Sequence, residues 1–263
     1  MTGYPANLLA ESDAGLTTKH STGFLPKEAA DPSRSRRTAG ELASLLAFGA
    51  IQWPWLLKSL YGGTLAQKDA VLARVDLPPD ALPHLGSWKA DTYLLHRIVD
   101  HIERHRPQVV MELGSGASSL IIAGALRKHG GGMLHSFDQH APFSTEMQEW
   151  LAEHGLTAVF HHAPLVRQDN GWPGVWYALA DVPPTIDLLI IDGPPWTVHP
   201  LVRGAAETLF DRIAPGGAVM LDDAARPGER MVAGRWRRDW PQFDFSYEGK
   251  GSKGLLVGRR RAD

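Results

Sequence analysis

The residues with the clearest chemical potential sit in four short segments. Gly114-Ser115-Gly116 follows an apolar run that ends in Glu112-Leu113, and Ser118 and Ser119 lie just beyond it. Glycines at such a point let the backbone pass close to a ligand. The free N–H groups of a helix starting there suit a polar or anionic group. Asp138 closes the next apolar run, where a carboxylate can accept hydrogen bonds from both hydroxyls of a ribose; a turn or helix-start role is the alternative. Asp192 ends a third run and Asp222-Asp223 a fourth. Carboxylates gathered at neighbouring strand ends raise one another's pKa, and a hard divalent cation such as Mg²⁺ relieves the repulsion through oxygen ligands. Against that reading, one Asp could cap the following helix and another pair with Arg226 or Arg230, or the same residues could hydrogen-bond a ligand without metal. His199, downstream of Asp192, titrates in the range of a general base. It is one of 12 histidines, so a packing or surface role competes with that one.

These segments need strands to present them. From about residue 88 short apolar runs alternate with helical stretches. The runs are 108–113, 132–138, 157–162, 186–192 and 217–223; helices are predicted over 91–105, 118–129, 144–154 and 198–213. Such alternation indicates a parallel sheet with helices on both faces, and near-continuous apolar strands agree because both of their faces are buried. A helix over 228–240 then leads to 243–248 and 255–259, two strands joined by a Gly-rich turn, which read as an antiparallel hairpin. Ligands of open α/β sheets bind at the carboxyl ends of the strands, and all four segments lie there.

Residues 1–40 read as an irregular or partly disordered arm, 41–87 as a helical extension and 88–263 as the α/β domain. The stretch Leu42 to Leu57 is short for a membrane span and contains Pro54, so it reads as a helix packed on the core or on a second subunit. The start of the chain lacks the basic segment and apolar run of a signal peptide. Net charge is -2 and cysteine is absent. Disulfides, zinc thiolates and cysteine nucleophiles are therefore excluded, and a cytoplasmic setting is expected. No charge excess points to nucleic acid or an anionic membrane; the five arginines between Arg226 and Arg238 read as a solvated helix face. His161-His162 reads as structural. Trp88, Trp172 and Trp176 could wall a pocket or pack the core.

The dinucleotide fingerprint G-x-G-x-x-G is not met, because Ser119 holds the third-glycine position, and the phosphate-loop lysine is missing. In Asp192-Gly193-Pro194-Pro195-Trp196 a glycine separates the polar residue from the prolines, which argues against the amino-methylating D-P-P-W motif. Taken in order, ELGSGASS, SFDQH, IDLLIIDGPP and IAPGGAVMLDDAARPGE resemble class I S-adenosylmethionine-dependent methyltransferases, and more closely the bacterial small-molecule group related to macrocin O-methyltransferase. The resemblance spans roughly 88–259. It implies a Rossmann-like seven-stranded mixed sheet of order 3-2-1-4-5-7-6, with S-adenosylmethionine held by Glu112, Gly114, Ser115, Gly116, Ser118, Ser119, Asp138, Gln139, Ala163 and Asp192. Ala163 departs from the acidic residue often found at the adenine edge. By the same likeness Asp192, Asp222 and Asp223 hold a metal, with Asp192 and His199 the catalytic candidates; catechol-type relatives carry Asn where this chain has Asp223. The implied reaction is O-methylation of a hydroxylated small molecule with Mg²⁺ assistance. The implied role of 41–87 is an acceptor lid or a homodimer contact. A metal-free N- or RNA methyltransferase and a non-catalytic nucleoside-binding scaffold are the competing readings.

Overall fold

The computed structural model describes residues 38–87 and 89–262. The arm read over 1–40 lies outside the described residues except for its last three positions, as does Trp88. The chain begins with α1 (Ala39–Ser59), opened by a capping box in which Thr38 and Glu41 exchange hydrogen bonds. Then come α2 (Leu65–Arg74) and α3 (Thr92–His105). Asp91 caps α3 through the amide of Leu94 at 2.9 Å.

The alternating part follows as β1 (Val109–Leu113), α4 (Ala117–His129), β2 (Met133–Asp138), α5 (Ala141–Glu153) and β3 (Val159–His162). A hairpin of two-residue strands, β4 (Leu165–Val166) and β5 (Trp176–Tyr177), interrupts it. The rest is β6 (Ile186–Ile191), a 3-10 helix (Val202–Arg212), β7 (Ile213–Leu221), α6 (Pro227–Asp239), β8 (Phe243–Glu248) and β9 (Leu255–Arg260).

Seven strands form one sheet in the order β3-β2-β1-β6-β7-β9-β8. With the small hairpin set aside, this is the order 3-2-1-4-5-7-6. β3, β2, β1, β6 and β7 run parallel, and β9 enters antiparallel beside β7. The helix predicted over 198–213 is a 3-10 helix that starts only at Val202, and the strand predicted over 217–223 begins at Ile213. The two-residue strands β4 and β5 were not foreseen, because a pair so short leaves no periodic pattern.

The parallel strands are apolar along both faces for a visible reason. In β6, Leu188 and Ile190 pack with α2 to α5 while Leu189 and Ile191 face the 3-10 helix and α6; in β7, Ala218 and Met220 take the first side and Val219 and Leu221 the second. The second side holds an aromatic group of Phe210, Trp236, Trp240, Phe243 and Phe245. α1 differs. Its inner residues meet the domain, with Gly49 against Trp196, while Leu42, Leu46, Ile51, Trp53 and Leu57 stand exposed on its outer side. Among the described residues no helix is long and apolar enough to cross a membrane.

Candidate active site

The carboxyl ends of β1, β2, β6 and β7 meet in one cavity of about 400 Å³. β1 stops at Leu113, and Gly114 turns the chain with φ +92. A Cβ on Gly114 would stand 2.7 Å from the amide nitrogen of Gly193, so the loops after β1 and β6 touch backbone to backbone. Gly116 is different: its backbone is extended, and a Cβ there would meet nothing within 4 Å. It opens onto the cavity. Ser115, Ser118, Asp138, Gln139, Asp192 and Asp223 also line the space.

Glu112 lies just beneath and is fully buried. Its Oε2 accepts from Ser119 Oγ at 2.5 Å and Ser136 Oγ at 2.6 Å, while its Oε1 has no partner. Burial pushes its carboxyl up to about 7 against the pull of the Ser118, Ser119 and Ser136 hydroxyls. Asp138 accepts from the amides of His140 (2.9 Å) and Ser115 (3.2 Å). Burial raises it to about 6, and those backbone bonds oppose the rise.

Asp192, Asp222 and Asp223 each offer an oxygen within 4.8 Å of the others. Their charge is answered inside the protein. Lys253 Nζ stands 3.2 Å from Asp222 Oδ2 and 3.7 Å from Asp223 Oδ1. Arg203, from the 3-10 helix, reaches Asp223 Oδ2 at 3.0 Å and Asp192 Oδ1 at 3.4 Å, and Arg226 reaches Asp223 Oδ1 at 2.8 Å. Burial raises the carboxyls of Asp192 and Asp222. Burial works in the same sense on Asp223, yet Lys253, Arg226 and Arg203 together hold it below the usual range. Lys253 is kept charged by the same carboxylates despite its own burial. By donor type and spacing the three oxygens fit a hard divalent cation, and by charge the place is already served by three basic side chains.

The cavity thus gathers Gly114, Ser115, Gly116, Ser118, Asp138, Gln139, Asp192 and Asp223. Ser119 and Glu112 form its underlay, and Asp222 sits behind Asp223 on Lys253. Ala163 is buried, its amide donating to the carbonyl of Asp138. His199 is not brought to the cavity: it is buried beside Gly174, and its Nδ1 accepts from the amide of Leu201 at 3.1 Å. Trp172 and Trp176 belong to the core. Arg203, Lys253 and Tyr177 escaped the sequence reading, as did Leu56 and Ser59 of α1 and the next residue, Leu60, which wall the cavity.

Residues 111–224, which include the first turn and all three carboxylates, match the family model described as a methyltransferase domain. Over that stretch the chain is similar to a methyltransferase domain. No curated protein matches the chain in sequence. Solved structures share the fold of the domain at low identity. An O-methyltransferase from Bacillus cereus in complex with SAH aligns at a TM-score of 0.52 and 13% identity, over 82% of this chain and 100% of that one. A putative O-methyltransferase from Klebsiella pneumoniae aligns at 0.53 and 18%, over 83% and 99%. The SAH-bound methyltransferase PaMTH1 of Podospora anserina aligns at 0.50 and 13%, over 86% and 97%. The matched stretch includes the glycine turn, Asp138 and Asp192, which open on the same space.

Proposed function

We propose that the protein transfers the methyl group of S-adenosylmethionine to a hydroxyl of a small molecule. The observation that carries this reading is a single cavity lined at one end by Gly116 and Asp138 and at the other by Asp192, Asp223 and α1. The first end suits the donor. Gly116 leaves room for a ligand against the backbone, Asp138 can take both ribose hydroxyls, and the orphaned Oε1 of Glu112 asks for a cationic donor such as the α-ammonium. The second end suits an acceptor hydroxyl. Bound beside Asp192, it loses its proton to that carboxylate as its oxygen attacks the methyl carbon; the carbon–sulfur bond breaks, and the sulfonium leaves as a neutral thioether. A small acceptor, rather than nucleic acid, matches a cavity of about 400 Å³ and the net charge of -2. The lack of cysteine suits the cytoplasm.

Divalent-metal assistance is part of the reading: Asp192, Asp222 and Asp223 would hold Mg²⁺, which would supply Lewis acidity to the acceptor hydroxyl. A second reading, favoured by Lys253 between Asp222 and Asp223, is the same transfer without metal. One experiment tests the donor and separates the two. S-adenosylmethionine is titrated calorimetrically into wild type and Asp138→Asn, and methyl transfer to vicinal diols and catechols is followed with Mg²⁺ and after chelation. We expect micromolar donor binding that falls at least about ten-fold in the variant. Turnover lost on chelation supports the metal; turnover that survives supports Lys253. Folded protein that binds no donor refutes the proposal.

A further inference from the structure

The hairpin strand β5 is not among the alternating strands, yet it delivers a side chain to the cavity. Tyr177 is fully buried, lines the space, and its hydroxyl has no hydrogen-bond partner. The ring is fixed from its backbone: Leu165 pairs with Tyr177 across the hairpin, its carbonyl accepts from Gln168 Nε2 at 2.9 Å, and the amide of Ala178 donates to Pro164. The hydroxyl lies over Gly193, so close that a Cβ on Gly193 would stand 2.2 Å from it. That places it above the contact between the loops after β1 and β6.

A buried O–H without an acceptor is costly unless something arrives to receive it. Beneath the cavity, on the strand that leads into Gly114, lies a second orphan of opposite polarity, Oε1 of Glu112, which can only accept when ionised. A lone donor in the pocket wall and a lone acceptor beneath it match a zwitterion. The charges that act on Tyr177 are the carboxylates Asp138, Asp192 and Glu112 and the guanidinium of Arg203. Arg203 lines the cavity as well, but its donors are engaged by Pro194, Asp192, Asp222 and Asp223, which leaves the hydroxyl of Tyr177 as the donor open to a ligand.

We infer that Tyr177 is a specificity residue that donates its hydroxyl to the α-carboxylate of the methyl donor, opposite the α-ammonium at Glu112. The inference rests on the donor reading above and goes beyond it, since it assigns recognition of the amino-acid end to the small hairpin.

The test uses two ligands that differ only at that end. S-adenosylhomocysteine has the α-amino acid group; 5′-methylthioadenosine keeps the nucleoside and thioether and lacks it. Both are titrated into wild type and Tyr177→Phe, with melting temperatures of the free proteins alongside. We expect Tyr177→Phe to bind S-adenosylhomocysteine about ten-fold more weakly, to bind 5′-methylthioadenosine as wild type does, and to melt no lower, because it removes only an unsatisfied hydroxyl. Unchanged S-adenosylhomocysteine affinity would overturn the inference, and so would an equal loss for both ligands or a lower melting temperature, which indicate a packing role. A wild type that binds neither ligand refutes the donor reading itself; one that binds both, with no difference in the variant, refutes only the role of Tyr177.

Discussion

On the proposed reading, Glu112 couples proton release to donor binding. Its carboxyl is raised by burial from 4.5 to about 7 in the free protein. A folded-state value above the unfolded one stabilises the fold at low pH, and that contribution fades as pH rises from about 4.5 to about 7. Binding of an α-ammonium has the opposite preference, because it needs the ionised carboxylate. Donor affinity should therefore fall as pH drops below about 7, with a proton released on binding, and fall further near 6, where Asp138 titrates. Calorimetry in buffers of different ionisation enthalpy reads the proton directly. Glu112→Gln should remove the upper step and leave the lower one; affinity independent of pH between about 5 and 8 would contradict this account. At this scale the sequence was informative for Glu112, Gly114, Gly116, Asp138 and Asp192, because each ends a strand or opens a turn and its position follows from that. Arg203, Lys253 and Tyr177 were silent because each meets the site through a tertiary contact between residues far apart in the chain. His199 shows the converse: the right chemical type, two residues from a cavity-lining position, turned into the core beside Gly174.

The turn between β1 and α4 does two jobs with its two glycines, and they can be separated. Gly114→Ala sets a Cβ in left-handed backbone and 2.7 Å from Gly193 nitrogen, so it should cost about 1–3 kcal/mol or more in a denaturant titration. Gly116→Ala meets extended backbone and open space. It should leave the unfolding midpoint within about 0.5 kcal/mol of wild type and still weaken the donor, whose place the methyl group takes. If both variants lose stability alike, Gly116 is a structural turn residue and the open face has another purpose. Elements were legible wherever burial imposed a period. α3, α4, α5 and α6 fall within three residues of the predicted bounds, and the strand ends that carry the site were located well. The β4–β5 hairpin was not, since two-residue strands keep no period, and the 3-10 helix was located but read as an ordinary helix that starts four residues early.

Across the whole molecule, the last hairpin closes the centre that earlier strands open. The loop between β8 and β9 is clamped by Asp91, which caps α3 and also accepts from the amide (2.7 Å) and hydroxyl (3.0 Å) of Ser252. Its next residue, Lys253, then reaches Asp222 and Asp223. Lys253→Met should leave those carboxylates buried without their ammonium and cost about 3–5 kcal/mol at neutral pH, measured by chemical denaturation. A loss under about 1 kcal/mol would mean that Arg203 and Arg226 suffice. The overall architecture was the most legible level, because strand order follows from alternation and resemblance, while the closing of charge across the sheet depends on which loop packs where. That closing also has an order in time. Lys253 follows Asp223 by 30 residues, which the ribosome adds over a period on the order of seconds at about 5–20 residues per second. Throughout that interval the growing chain holds its three acids with Arg203 and Arg226 but without the ammonium of Lys253, so the cluster is neutralised in steps, and the last step waits for a strand pair made after the acids themselves.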